Sequence, residues 1–122
     1  MASIKRVGST TLQNRNADLF KALGHPTRLA IIDKLSTNQI SCKLIQLELK
    51  IAKSTLSRHI QILYDAGIIG YDKIVNETYY FINPFALSEA ANYLEEPIRL
   101  SEDQNFEDVH FKIPDGLKNP KL

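Results

Sequence analysis

The chain holds a single cysteine, Cys42, among its 122 residues. That excludes an internal disulfide and any zinc site built from several thiolates of one chain. No apolar run approaches the ~20 residues needed to span a membrane, and the first residues lack the pattern of a signal peptide. The expectation is a soluble, cytoplasmic protein with no membrane partner. Catalytic signatures are missing as well. There is no glycine-rich phosphate loop, no Gly-x-Ser-x-Gly elbow and no His-Glu-x-x-His. Neither an enzyme nor a cofactor is expected. Internal repeats and low-complexity segments are also absent.

Net charge is almost absent at +1, but it is unevenly spread. Residues 1–83 carry eleven Lys and Arg against six Asp and Glu, and residues 84–122 carry four against eight. A basic body followed by an acidic end fits phosphate binding by the first part. With 43% hydrophobic residues the chain has enough apolar material for one compact core.

Leu12, Asn16, Leu19 and Leu23 recur at helical intervals, with Ser9 or Thr10 placed to cap the helix and Gly24 to end it. Pro26 suits the first turn of a second helix with Leu29, Ile32 and Leu35 on its core face, ending near Ser36-Thr37-Asn38. From Ser41 to Leu49 a short pattern sets Leu44, Ile45 and Leu49 on one side. Three residues, Lys50-Ile51-Ala52, separate it from residues 53–66, where Leu56, Ile60, Leu63 and Gly67 follow at intervals of four, three and four. Ser54, Arg58, Gln61 and Asp65 follow at the same intervals on another face. Two short helices joined by so brief a turn make a helix-turn-helix, whose second helix enters the major groove. Hydroxyls, an amide and a guanidinium on that helix suit phosphates and base edges.

After Gly67 the period changes. Ile68 to Ile74 and Thr78 to Ile82 are β-branched and aromatic, and Val75-Asn76-Glu77 is short enough for a hairpin loop, with Asn76 able to turn left-handed. Asn83-Pro84 opens a last helix with Leu87, Ala91, Leu94 and Ile98 as its stripe, ended or kinked by Pro97. The expected architecture is mainly α with a small β-hairpin: a winged helix-turn-helix of about five helices and a two-stranded antiparallel wing. It occupies residues 1–98, and an acidic, loosely structured tail fills 99–122.

Two blocks carry a resemblance to a known family. They are Leu19-Phe20-Lys21-Ala22-Leu23-Gly24-His25-Pro26-Thr27-Arg28-Leu29 and Ser54-Thr55-Leu56-Ser57-Arg58-His59-Ile60, followed by Leu63, Ala66-Gly67-Ile68-Ile69 and Tyr79-Tyr80-Phe81. In order and spacing the chain resembles the ArsR family of winged-helix transcriptional repressors over residues 12–98. The resemblance implies a homodimer through the first and last long helices, on a near-palindromic operator in double-stranded DNA. It implies operator contacts by Lys53, Ser54, Thr55, Ser57 and Arg58, with His59 near them. Arg58 is the candidate for guanine, which a guanidinium reaches at O6 and N7 together. His59 is equally readable as a hydrogen-bonded structural residue. Gln61 extends the polar face, and Lys73 is the wing's one lysine.

The chain departs from the family in places. Ala52 stands where a capping serine is usual, and Asp72 and Glu77 offset Lys73, so Lys5, Arg6 and Arg15 are candidates to supplement the wing. Where metal-sensing members have Cys-x-Cys, this chain reads Ile40-Ser41-Cys42-Lys43-Leu44. An ammonium in place of a soft ligand argues against a soft metal. Asp108-Val109-His110 spells half of another family metal motif, with no later histidine. No metal site is expected. Cys42, at a helix start beside Lys43, is a candidate redox site or a small core residue. The effector is open. The competing reading is a winged-helix protein-interaction module without specific DNA binding.

Overall fold

The computed structural model describes residues 8–38 and 40–117. Helix α1 (Thr11–Leu23) opens on a capping box: the Thr10 hydroxyl accepts the Gln13 N–H at 3.0 Å while the Gln13 side chain accepts the Thr10 N–H at 2.9 Å. Helix α2 (Pro26–Leu35) carries Pro26 in its first turn, and His25 Nδ1 accepts the Thr27 N–H at 3.1 Å. Strand β1 (Ile40–Ser41) leads into α3 (Cys42–Leu49), capped by the Ser41 hydroxyl. Lys50, at φ +54°, turns the chain toward α4 (Lys53–Asp65). Strands β2 (Ile69–Ile74) and β3 (Glu77–Ile82) form the wing, and α5 (Pro84–Ser101) follows.

The sheet differs from expectation by one strand. It has three, ordered β1-β3-β2, because Ile40 and Ser41 pair antiparallel with Tyr80 and Tyr79. Two residues are too few to show a period. The wing turn also differs. Its left-handed residue is Val75, φ +60°, not Asn76. Pairing of Ile74 with Glu77 leaves a two-residue loop, and such hairpins put positive φ on the first loop residue. A β-branched residue there stores about 1–3 kcal/mol of strain.

The core gathers Leu19 and Ala22 from α1, Ile31 and Leu35 from α2, Ile45 from α3, and Leu56, Ile60 and Leu63 from α4. Ile68, Ile69, Ala86 and Ala90 complete it. On α5 the fully buried positions are Ala86 and Ala90; of the expected stripe, Leu87 packs half-buried against the core and Ala91 is exposed. Leu94 and Ile98 stay 46% and 56% exposed, and Leu12 on α1 stays 63% exposed. Helix α5 also runs through Pro97 to Ser101, past the expected stop. Pro97 removes one N–H on an exposed stretch, where water can meet the stranded carbonyl. Helices α1 and α5 pack together, with the Phe20 and Tyr93 rings 6.4 Å apart. Beyond α5, residues 102–117 form turns and extended chain, with Phe106 and Phe111 edge-on at 5.6 Å. Among the described residues no helix is long and apolar enough to cross a membrane.

Candidate nucleic-acid interface

Helix α4 has two unlike faces because its sequence does. Leu56, Ile60 and Leu63 are buried in the core, while Lys53, Ser54, Thr55, Ser57 and Arg58 are all exposed on the first two turns. Ala52 precedes the helix without any side-chain cap. The first N–H groups of α4 therefore have no partner within the helix and carry its positive dipole end outward, next to the Lys53 ammonium. That is the chemistry of an anion site at a helix start. The missing cap, a loss for helix stability, leaves those donors without a side-chain partner. Arg58 makes no ion pair or hydrogen bond among the described residues, so its fork is available to an outside acceptor.

The elements flanking α4 enlarge this surface. A polar cleft of about 620 Å³ lies between the start of α3, the start of α4 and the wing turn. Lys43, Gln46, Lys53, Ser57, Asn76 and Thr78 line it, with Cys42 and the acidic Glu77 among its other walls. Of these Lys53 and Ser57 were singled out from sequence for DNA, and Cys42 as a candidate redox site. Lys43 and Gln46 stand three apart on α3, with Lys50 following at its C-cap, so polar residues on the first helix of the pair were present to be read. Gln61 is exposed, but its Nε2 donates to Asp65 at 2.8 Å. Lys73 is exposed on β2 opposite Thr78.

Two side chains that the sequence offered for DNA contact are held elsewhere. His59 does not stand with the exposed residues; it is 9% exposed and its ring meets His25 at 4.5 Å between centroids. It lies three residues after Leu56 and four before Leu63, inside the apolar stripe. Arg15 is not available to supplement the wing, because it binds the Ala66 carbonyl at 2.8 Å and Glu89 at 3.0 Å. Lys5 and Arg6 lie outside the described residues. Cys42 is half-buried in the first turn of α3, next to Tyr80. Burial foremost, and then Cys42, raise the Tyr80 phenol above its ordinary value. Among the described residues no group of three or more His, Cys, Asp or Glu is placed to hold a metal.

The two sequence blocks meet in space behind the interface. Arg28 Nε donates to the Ala22 carbonyl at 2.6 Å and Nη2 to the Lys21 carbonyl at 3.3 Å, closing the end of α1. Its Nη1 stands 3.3 Å from His59 Nδ1. A guanidinium can only donate, so this contact is a hydrogen bond when Nδ1 is the bare nitrogen of a neutral imidazole. Burial, and then the charges of His25, Arg28 and Arg58, push the His59 pKa below its ordinary value.

A pH dependence follows from that shift. A histidine whose pKa is lower folded than unfolded gives stability that is complete above the unfolded value of about 6.5 and lost as pH falls below it. The thermal midpoint should therefore drop between about pH 7 and pH 5 more steeply than in His59→Asn, whose amide oxygen can still accept from Arg28. Parallel curves for the two proteins would show that His59 does not carry the effect.

Known proteins are similar to this chain. The family described as a helix-turn-helix domain matches over residues 23–69, from the end of α1 to the start of β2. An HTH-type transcriptional regulator of Methanocaldococcus jannaschii is 38% identical over 82 residues, 66% of this chain and 91% of the relative. The transcriptional repressor SdpR of Bacillus subtilis is 30% identical over 77 residues, 63% of this chain and 86% of the relative. In structure the chain is similar to an ArsR family transcriptional regulator at a TM-score of 0.69 and 23% identity, covering 86% of this chain and all of that one. It is also similar to the homodimeric winged helix-turn-helix DNA-binding domain of a possible ArsR-family regulator of Mycobacterium bovis. There the TM-score is 0.60 and the identity 22%, over 82% of this chain and 98% of that one.

Proposed function

The chain belongs to the ArsR family of winged helix-turn-helix transcriptional regulators, and from that premise we propose that it acts as a homodimeric repressor on a near-palindromic operator, with α4 in the major groove. The observation that carries the proposal is the division of α4 into a buried apolar face and an exposed, uncapped N-terminal half. The buried face fixes the helix on the core. The exposed half presents Lys53, Ser54, Thr55, Ser57 and Arg58 together, at the end where groove-reading helices make their contacts. In this reading Lys53, Ser54 and Thr55 hold phosphates at the helix start, and Arg58 reads a base pair. Lys43 in the cleft and Lys73 on the wing add phosphate contacts. The dimer forms through α1 and α5, which leave Leu12, Leu94 and Ile98 exposed on a chain whose own core is already filled. A second copy would cover such residues by isologous pairing. The repressor sense is taken from the relative so named.

Selection of bound sequences from a random duplex pool, followed by a salt titration on the winner, tests the proposal. The expected site is a pseudo-palindrome with half-sites one or two helical turns apart. The expected affinity falls linearly on a log–log plot against salt, by about 0.9 per phosphate neutralised. Absence of duplex binding at low salt would overturn it. The interaction-module reading, which the charge-poor wing with Asp72 and Glu77 beside Lys73 favours, would then take its place.

A further inference from the structure

The exit from α4 is held by the two helices expected to pair the protomers. Three successive carbonyls there are taken by groups outside α4. Arg15 Nη1 donates to Ala66 O at 2.8 Å, Asn83 Nδ2 to Gly67 O at 2.9 Å, and the Asn83 N–H to Ile68 O at 2.7 Å. Arg15 belongs to α1. Its Nε and Nη2 grip the two oxygens of Glu89 on α5, at 3.0 and 3.2 Å. Asn83 caps α5, its Oδ1 accepting the Phe85 N–H at 3.1 Å. One guanidinium thus ties α1, α4 and α5 together, using the planar fork that only arginine has.

The sequence of α4 makes this attachment consequential. The helix ends in a tight turn, with the Gly67 N–H on Tyr64 O at 2.9 Å and the Ile68 N–H on Leu63 O at 3.0 Å. Gly67 stands at φ +79°, where glycine alone is unstrained. The last turn of α4 holds no basic residue of its own. Arg15 supplies the positive charge that the negative end of the helix dipole favours. The hydrogen bond from Arg15 also holds the Glu89 carboxyl below its ordinary range. Apolar burial is non-directional and does not by itself fix the helix angle. The start of α4 is uncapped, so directional bonds gather at its far end.

We propose that Arg15, with Glu89 and Asn83, is a positioning residue for DNA recognition: it fixes α4 at its C-terminal end to α1 and α5, and so sets the spacing at which the two recognition helices of a dimer meet the duplex. The proposal rests on the DNA-binding reading given above. The lever is long enough to matter. Thirteen residues at 1.5 Å each make α4 about 20 Å long. A rotation of about 10° about its C-terminal end therefore moves Lys53 about 3.5 Å, roughly one base-pair step. The Arg15–Glu89 pair is too exposed to contribute much stability, so its effect is on geometry.

The test uses Arg15→Met, which keeps the apolar stem and loses every donor, and Glu89→Gln as a milder variant that keeps one acceptor. Each is compared with the parent on the selected operator and on duplexes whose half-sites are moved one base pair closer or farther. The parent should prefer its own spacing by about tenfold or more. Arg15→Met should reduce that preference to about threefold or less, with Glu89→Gln between them. In the free protein, amide exchange at Gly67 and Ile68 should rise about tenfold in Arg15→Met. A preference kept intact by Arg15→Met, or an equal loss on all spacings that follows a lowered melting midpoint, would overturn the positioning role. Unchanged exchange would overturn the clamp alone. Failure of the parent to bind any duplex would overturn the DNA reading, and the spacing role with it, whatever the exchange shows.

Discussion

Replacing Leu56 by alanine is expected to lower the stability of the fold by about 2–5 kcal/mol. Leu56 is fully buried among the side chains that α1, α2, α3 and α4 bring together. Truncation removes the transfer energy of its side chain and leaves a cavity that the surrounding helices can only partly collapse into. Against a total stability of about 5–15 kcal/mol this is a large share, and it falls on the helix that carries the candidate contacts. Urea unfolding with an unchanged m-value would measure it. The control is Leu47→Ala on the outer side of α3, where Leu47 is 67% exposed. That change should stay within about 0.5 kcal/mol. A loss below about 1 kcal/mol for Leu56→Ala would mean that α4 is not seated on the core as described.

The same helix is where the sequence was most legible, and the one residue it left open shows why. Leu56, Ile60 and Leu63 recur at helical spacing, the three-residue turn before them is short, and both are local features. His59 falls in the same stripe, but an imidazole suits either a core hydrogen bond or a phosphate. Only the arrival of Arg28 and His25 from α2 and its N-cap decides between them. The caps at Thr10 and Asn83 were equally local.

What escaped was either too short or too distant in sequence. Strand β1 has two residues and no period. The left-handed Val75 is set by strand register, which pairs Ile74 with Glu77, and not by the preference of Asn76. Arg15 meets Ala66 and Glu89 across 51 and 74 residues, a separation no pattern encodes. On α5 the apolar spacing was real but ambiguous. A helix with one side toward its own core and another left outward offers two stripes, and the small Ala86 and Ala90 took the core while Leu94 and Ile98 did not.

Arg58→Ala should separate the other face of α4 from the one that Leu56 anchors. The side chain is exposed and bonded to nothing among the described residues, so stability should stay within the range of ordinary surface changes, about 0.5 kcal/mol. Binding should not stay. A bidentate contact to guanine carries about 1–3 kcal/mol of discrimination, so the preferred half-site should weaken by roughly 5- to 150-fold. Half-sites altered at the one base pair that Arg58 reads should weaken far less, and the preference at that position should flatten. In a dimer the loss is taken at both half-sites of the operator. Lys53→Ala should behave differently, because a phosphate contact holds the protein on any sequence. It should weaken all duplexes about equally and reduce the salt slope by about 1. Measuring both variants on the parent site and on single-base variants, at two salt concentrations, distinguishes base reading from backbone holding. If Arg58→Ala bound the parent operator as tightly and as selectively as the unaltered protein, the base-reading role would belong to another side chain on the exposed half of α4. The uncapped helix start would then remain as a phosphate site alone.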